Sequence, residues 1–145
     1  MILFCGIQAS GKSSFYKHYF FTTHLHISLD LLKTRNRENR FLELCLETEQ
    51  SCVIDNTNPT RKERTFYIEK AKKKKNCTVI GYYFQSKIEE ALFRNSERSG
   101  KARIPDIGIK STYVQLQLPT YDEGFDKLFY VELKNNHFII HDWKP

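Results

Sequence analysis

Apolar positions along the chain change their spacing in a regular way, and the change predicts strands alternating with helices. Met1 to Cys5 is an almost unbroken apolar run and reads as a strand. From about Lys12 to Phe21, the residues Phe15, Tyr16, Tyr19 and Phe20 recur at helical spacing, which makes a stripe facing a core. A short strand is expected from His24 to Ser28. Leu31 to about Glu49 reads as helical, with Phe41, Leu42, Cys45 and Leu46 as its apolar face and a polar middle, Thr34 to Arg40, that is partly loop. Ser51 to Asp55 is the next strand. Pro59 suits a first helical turn, and Thr60 with Glu63 has capping-box spacing, so a helix is expected to run to about Lys75. Thr78 to Phe84 is almost wholly apolar, the mark of a strand buried on both faces of a parallel sheet. Ser86 and Glu89 form a second capping-box pattern ahead of Ile88, Ala91 and Leu92. Arg94 to Arg103 is basic, contains a glycine and reads as a loop or lid. Pro105 can open a helix containing Tyr113 and Leu116, and Leu128 to Leu133 is the last expected strand.

Strands alternating with helices imply right-handed crossovers and a three-layer α/β sandwich, here with a five-stranded parallel sheet. A length of 145 residues, without repeat or Pro/Gly-rich linker, predicts one domain over residues 1–145. With 40% hydrophobic and 28% charged residues the composition is that of a globular protein. No apolar run reaches the length of a membrane span, and no membrane partner is expected. The opening residues lack the basic and apolar blocks of a secretory leader. Cys5, Cys45, Cys52 and Cys77 have no C-x-x-C spacing and read as reduced thiols, so the expected location is cytoplasmic. His137 and His141 lack an acidic or Cys partner at zinc-ligand spacing. The net charge of +6 suits a polyanionic partner and equally suits a protein that handles nucleotides alone. The run Lys72 to Lys75 fits a solvated helix end, where cations are favoured.

Ligands on a sheet of this kind bind at the carboxyl ends of the strands. Three candidate elements fall there: the segment after Cys5, Asp30 and Asp55. The first is Gly6-Ile7-Gln8-Ala9-Ser10-Gly11-Lys12-Ser13, a G-x-x-x-x-G-K-S loop between an apolar strand and an amphipathic helix. Its glycines permit turn conformations and close approach of phosphate. Its N–H groups and the helix start supply positive potential. Nucleotide contacts are therefore expected from Gly6, Gln8, Ala9, Ser10, Gly11, Lys12, Ser13 and Ser14, with Lys12 on the β and γ phosphates and Ser13 on Mg²⁺. Asp30 could take the proton of an attacking hydroxyl, or could cap a helix, as could Ser28. Asp55 ends an apolar strand and could serve a magnesium shell, or belong to the turn Asp55-Asn56-Thr57-Asn58-Pro59. Arg94 and Arg98, four apart, would face one direction if the helix continues; they could neutralise a transferring phosphoryl group or be solvated surface charge.

Together these residues resemble the kinase domain of the 5′-polynucleotide kinase family. The resemblance is carried by Gly6 to Ser13, Asp30, Asp55 to Pro59, Arg94-Asn95-Ser96-Glu97-Arg98, Gly100-Lys101 and Ile104-Pro105, and downstream by Pro119-Thr120 and Glu123-Gly124-Phe125. It implies a P-loop NTPase/kinase fold with a short lid at about residues 94–104. It also implies an ATP- and Mg²⁺-dependent kinase. In that family the acid at Asp30 is the general base, Arg98 the main lid arginine on the transferred phosphate with Arg94 in support, and Lys33 falls where the acceptor's phosphate is contacted. Ser28-Leu29 stands where the family commonly has Asn-Arg. The chain has no D-x-D-x-[TV] phosphatase motif, so the kinase portion alone is expected.

The expected activity is transfer of the γ-phosphate of ATP to a hydroxyl, with the 5′-OH of RNA or DNA as the nucleic acid acceptor. A small-metabolite or nucleotide-sugar kinase on the same fold is the alternative within enzymes. A module that binds or hydrolyses ATP as a switch, without acceptor, is the alternative outside them, and the acid at Asp30 speaks against it.

Overall fold

The computed structural model describes residues 1–144. A six-stranded sheet in the order β2-β3-β1-β4-β5-β6 forms its centre. The strands are β1 (Ile2–Cys5), β2 (Leu25–Ile27), β3 (Cys52–Ile54), β4 (Ile80–Phe84), β5 (Lys127–Lys134) and β6 (His137–Asp142). β1 pairs in parallel with both β3 and β4, β2 with β3, and β5 with β4. These five strands are the expected parallel sheet. The sixth is an addition: β6 returns antiparallel along β5, with Tyr130 opposite His141. The turn between them, Asn135-Asn136, has φ of 49° and 59°. Two successive positive φ values define the hairpin turn whose twist matches its strands.

The described residues form six α-helices: α1 (Lys12–Tyr19), α2 (Leu29–Leu32), α3 (Arg35–Glu47), α4 (Arg61–Lys72), α5 (Ile88–Ser96) and α6 (Asp106–Gln115). Leu42 and Cys45 of α3 and Tyr67, Ile68 and Ala71 of α4 pack with Leu3, Ile54 and Leu128 of the sheet. On the opposite face Phe15 and Tyr16 of α1 meet Phe4, Phe84 and Val131. Phe4 lies edge-on to both Phe15 and Phe84, at ring separations of 5.7 and 5.0 Å, an arrangement that adds about 0.5–1.5 kcal/mol per pair beyond area burial. A third cluster joins Ile7 and Ala9 to Ala91 of α5 and Ile109 of α6, so the last two helices pack on the loop after β1.

Two local expectations are corrected. The segment Arg35 to Arg40 is helical, not loop; the break falls earlier, at Lys33 with φ 71° and at Thr34, whose hydroxyl accepts from Arg37 N–H and starts α3. A hydroxyl in that place satisfies a first-turn donor, which outweighs the polar composition of the stretch. The Ser86–Glu89 capping box does not form. Lys87 precedes α5, and Ser86 Oγ instead accepts from Ile7 N–H at 3.1 Å. By contrast the Thr60–Glu63 box at the start of α4 is complete.

Candidate active site

The segment Gly6 to Ser13 joins β1 to α1. Gly6 has φ 153°, and a Cβ there would stand 3.0 Å from the Phe84 carbonyl oxygen. Gly11 has φ 96°, and its missing Cβ leaves room for Phe138 of β6 at 3.1 Å. Both positions exclude a side chain for conformational and steric reasons. Ala9 also adopts a left-handed conformation, φ 59°, at a cost of about 1–2 kcal/mol for a residue with a Cβ. The surroundings hold it there: its carbonyl accepts from Arg94 Nη1 at 2.8 Å. Gln8 reaches α6, donating from Nε2 to Thr112 Oγ1 at 2.9 Å, and Ser10 Oγ donates to the Ile7 carbonyl at 2.8 Å. Ser13 and Ser14 are exposed in the first turn of α1.

Lys12 is buried and folded back into the loop. Its Nζ donates to the carbonyls of Gly6 and Ile7 and to Ser10 Oγ. Burial brings its pKa down to about 8, opposed chiefly by the charge of Asp55. The charges of Arg98 and Asp30 also act on it, in opposite senses.

The turn Asp55–Asn58 ties the surrounding segments together. Asp55 Oδ2 accepts from Ser13 Oγ at 2.8 Å, and His26 Nε2 lies 2.8 Å from the same oxygen. Asn56 Oδ1 accepts from Leu29 N–H at 2.9 Å, at the start of α2. Its Nδ2 donates at 2.7 Å to Glu38, a buried carboxylate that also accepts from Tyr67 OH and Arg35. Thr57 O accepts from Gly6 N–H at 2.9 Å, and Asn58 Nδ2 donates to Phe4 O at 2.7 Å. Beneath the turn the buried Arg64 makes a two-bond pair with Glu123 and donates to the carbonyls of Asn58 and Pro59. The Ser13 hydroxyl and Asp55 carboxylate are hard oxygen donors bonded to each other beside the phosphate loop. That set fits Mg²⁺, which takes one or two protein oxygens and completes its shell with phosphate and water.

Asp30 stands in the first turn of α2 and is exposed; Ser28 occupies the position ahead of the helix. Asp30 is therefore not the cap. Lys33 ends the same short helix and is exposed. Arg94 lies within α5, pairing with Glu90 at 2.9 Å as well as with Ala9. The helix ends at Ser96, so Arg98 is not on its continuation; it is exposed in the following segment, with Nη1 3.5 Å from Ala102 O. Asn95, fully buried, closes that segment by donating to the Ile104 carbonyl at 2.7 Å and accepting from Ile104 N–H at 3.1 Å.

The structure brings Ser13 and Asp55 into contact, and puts Asp55, Asp30 and Arg98 within electrostatic reach of Lys12. Sequence reasoning missed His26 and Glu38, and named Asn95 only as part of a motif, without a role. Asn56 and Asn58 were noticed only as turn residues.

No family model matches the chain. It is 30% identical over 138 residues to a bifunctional polynucleotide phosphatase/kinase of Schizosaccharomyces pombe, covering 92% of this chain and 34% of that protein. It is 32% identical over 152 residues to a putative bifunctional polynucleotide phosphatase/kinase of Acanthamoeba polyphaga mimivirus, covering 99% and 36%. The chain thus spans about a third of the length of these relatives. Among solved structures it resembles Chaetomium thermophilum Kti12 in complex with ADP-AlF3, with a TM-score of 0.67, 16% identity and coverage of 90% of this chain and 88% of that one. A gluconokinase from Sinorhizobium meliloti gives a TM-score of 0.63 at 17% identity, covering 90% and 81%. At these identities the structural likeness establishes the fold alone, that of P-loop kinases.

Proposed function

We propose that this chain, a polynucleotide kinase-like P-loop kinase domain, transfers the γ-phosphate of ATP to the 5′-OH of a nucleic acid. The observation that carries the kinase chemistry is the contact of Ser13 with Asp55 beside a buried Lys12 in the phosphate loop. Support for the acceptor comes from relatives named as polynucleotide phosphatase/kinases, matched over nearly the whole of this chain.

The loop N–H groups and Lys12 bind the β and γ phosphates. Ser13 and Asp55 would hold Mg²⁺ and its shell, which would neutralise phosphate charge. Asp30 accepts the proton of the acceptor hydroxyl as its oxygen bonds to the γ-phosphorus. The bond from that phosphorus to the bridging oxygen breaks, and ADP leaves. Arg98 neutralises charge on the transferring group, while Arg94 holds the Ala9 carbonyl and so the curve of the loop. Lys33 contacts the acceptor's phosphate, and Arg37 and Arg40 add positive charge beyond it, while Arg35 is paired with Glu38.

The deciding assay compares 5′-OH with 5′-phosphate oligonucleotides, beside a panel of nucleosides and sugars. Transfer to the 5′-OH strand alone is expected. Activity should fall with salt, at a slope of about −0.7 in log affinity per phosphate contacted on a single strand. Labelling of a small molecule with none of the strand would favour a metabolite kinase. Leu29, apolar where the resembled family offers arginine, is the residue consistent with that outcome.

A further inference from the structure

The carboxylate of Asp55 is 2% exposed, and one of its oxygens, Oδ2, has two partners. Ser13 Oγ is one, at 2.8 Å, and His26 Nε2 the other, also at 2.8 Å. An ionised carboxylate only accepts, so the imidazole donates from Nε2. The ring is not free to swing. It stacks on Tyr16 at 4.0 Å with an interplanar angle of 11°, and Tyr16 is itself fixed by its hydroxyl donating to the His24 carbonyl at 2.7 Å. Parallel strand pairing sets the approach: His26 is opposite Val53, two residues before Asp55, and Asp55 N–H donates to Ile27 O at 2.8 Å.

We propose that His26 is a positioning residue for the divalent cation. By donating to Oδ2 together with Ser13, it holds the carboxylate in one orientation and uses the acceptor capacity of that oxygen. Oδ1 is left as the acceptor for a cation-bound water. The Ser13 proton stays directed at Asp55, so the lone pairs of Ser13 Oγ face the cation. Neither the phosphate-loop motif nor the Asp-Asn-Thr-Asn-Pro turn contains this residue. It comes from the edge strand β2, in the run Leu25-His26-Ile27.

The inference rests on reading the site as one for nucleotide and Mg²⁺, and the test separates the two. Mn²⁺ serves as the probe, its binding in the presence of ADP measured by electron paramagnetic resonance. ADP binding in EDTA is measured in parallel, and thermal melts check folding. His26→Ala should weaken Mn²⁺ binding by about tenfold or more, the usual loss when a partner that orients a metal ligand is removed. Its ADP affinity in EDTA should stay close to that of the unaltered protein. His26→Gln, whose amide nitrogen can occupy the place of Nε2, should recover most of the Mn²⁺ affinity. Unchanged Mn²⁺ binding in His26→Ala overturns the proposal. So does an equal loss of ADP affinity in EDTA, or a His26→Gln protein as weak as His26→Ala. If the unaltered chain itself binds no Mn²⁺ with ADP, the reading of the site fails and the role of His26 falls with it.

Discussion

Replacing Lys12 with methionine should make the stability of the nucleotide-free protein respond differently to pH. Lys12 is buried, and burial lowers its pKa from 10.5 to about 8. A tenfold change in proton affinity is worth about 1.4 kcal/mol, so holding the ammonium in the fold costs on the order of 3 kcal/mol. The folded pKa lies below the unfolded one. Between about pH 8 and 10.5 the unfolded chain therefore binds more protons, and stability rises with pH. The cost is present in full below about pH 8 and is gone above about pH 10.5. Lys12→Met removes this dependence. It also leaves the Gly6 and Ile7 carbonyls short of a donor, a loss of about 1–3 kcal/mol that is the same at every pH. The Cys5 thiol, pushed up to about 11 by burial, and the Tyr67 hydroxyl, pushed up by burial and by Glu38, act in the opposite sense in both proteins; in the variant Cys5 also loses the lowering influence of Lys12, which widens the difference. Urea unfolding of the two across this range should show the wild type gaining about 2–3 kcal/mol on the variant. Bound ADP should flatten the wild-type curve, because phosphate restores the lysine's proton affinity. Parallel pH profiles for the two nucleotide-free proteins would refute the reasoning.

Asp30→Asn should abolish transfer yet leave ATP binding measurable by calorimetry, because the amide cannot take the hydroxyl's proton; retained turnover in a folded variant would remove Asp30 from catalysis. Arg98→Ala should lower kcat by on the order of 10² with little change in KM for ATP, as expected for a contact made to developing charge. Arg94→Ala should raise KM for ATP more than it lowers kcat, since Arg94 holds the Ala9 carbonyl; steady-state kinetics on both variants distinguish the two roles.

The parallel sheet and the phosphate loop were legible because each has a strong local signal: unbroken apolar runs in one case, glycines and lysine at fixed spacing in the other. β6 was missed although Asn135-Asn136 is a hairpin turn signal, because Phe138, Ile139 and Ile140 run consecutively and show no alternation. Ser86 misled for a physical reason. Its hydroxyl is turned to the Ile7 amide, remote in sequence, and α5 begins one residue later than the capping spacing implies. The same limit hid the roles of His26, Glu38 and Asn95. Each acts through a partner between 9 and 29 residues away, and only the folded chain reveals the pairing. Arg94 to Arg103 reads from sequence as a loop or lid, but α5 runs through Arg94 to Ser96 and leaves only Arg98 of the pair in the following segment, because nothing in the local spacing marks Ser96 as the last turn.

The junction from Asp55 to Asn58 decides how the site comes apart. Its groups bond to the entry of the phosphate loop, to Ser13, to the start of α2 and, through the Asn56–Glu38 contact, to α3. Segments that would fray independently if each had its own support here share one. Opening any of them must break bonds at the junction, so the phosphate loop and the starts of α2 and α3 should open together. Heat or denaturant should abolish nucleotide binding in a single step, whichever loop is watched.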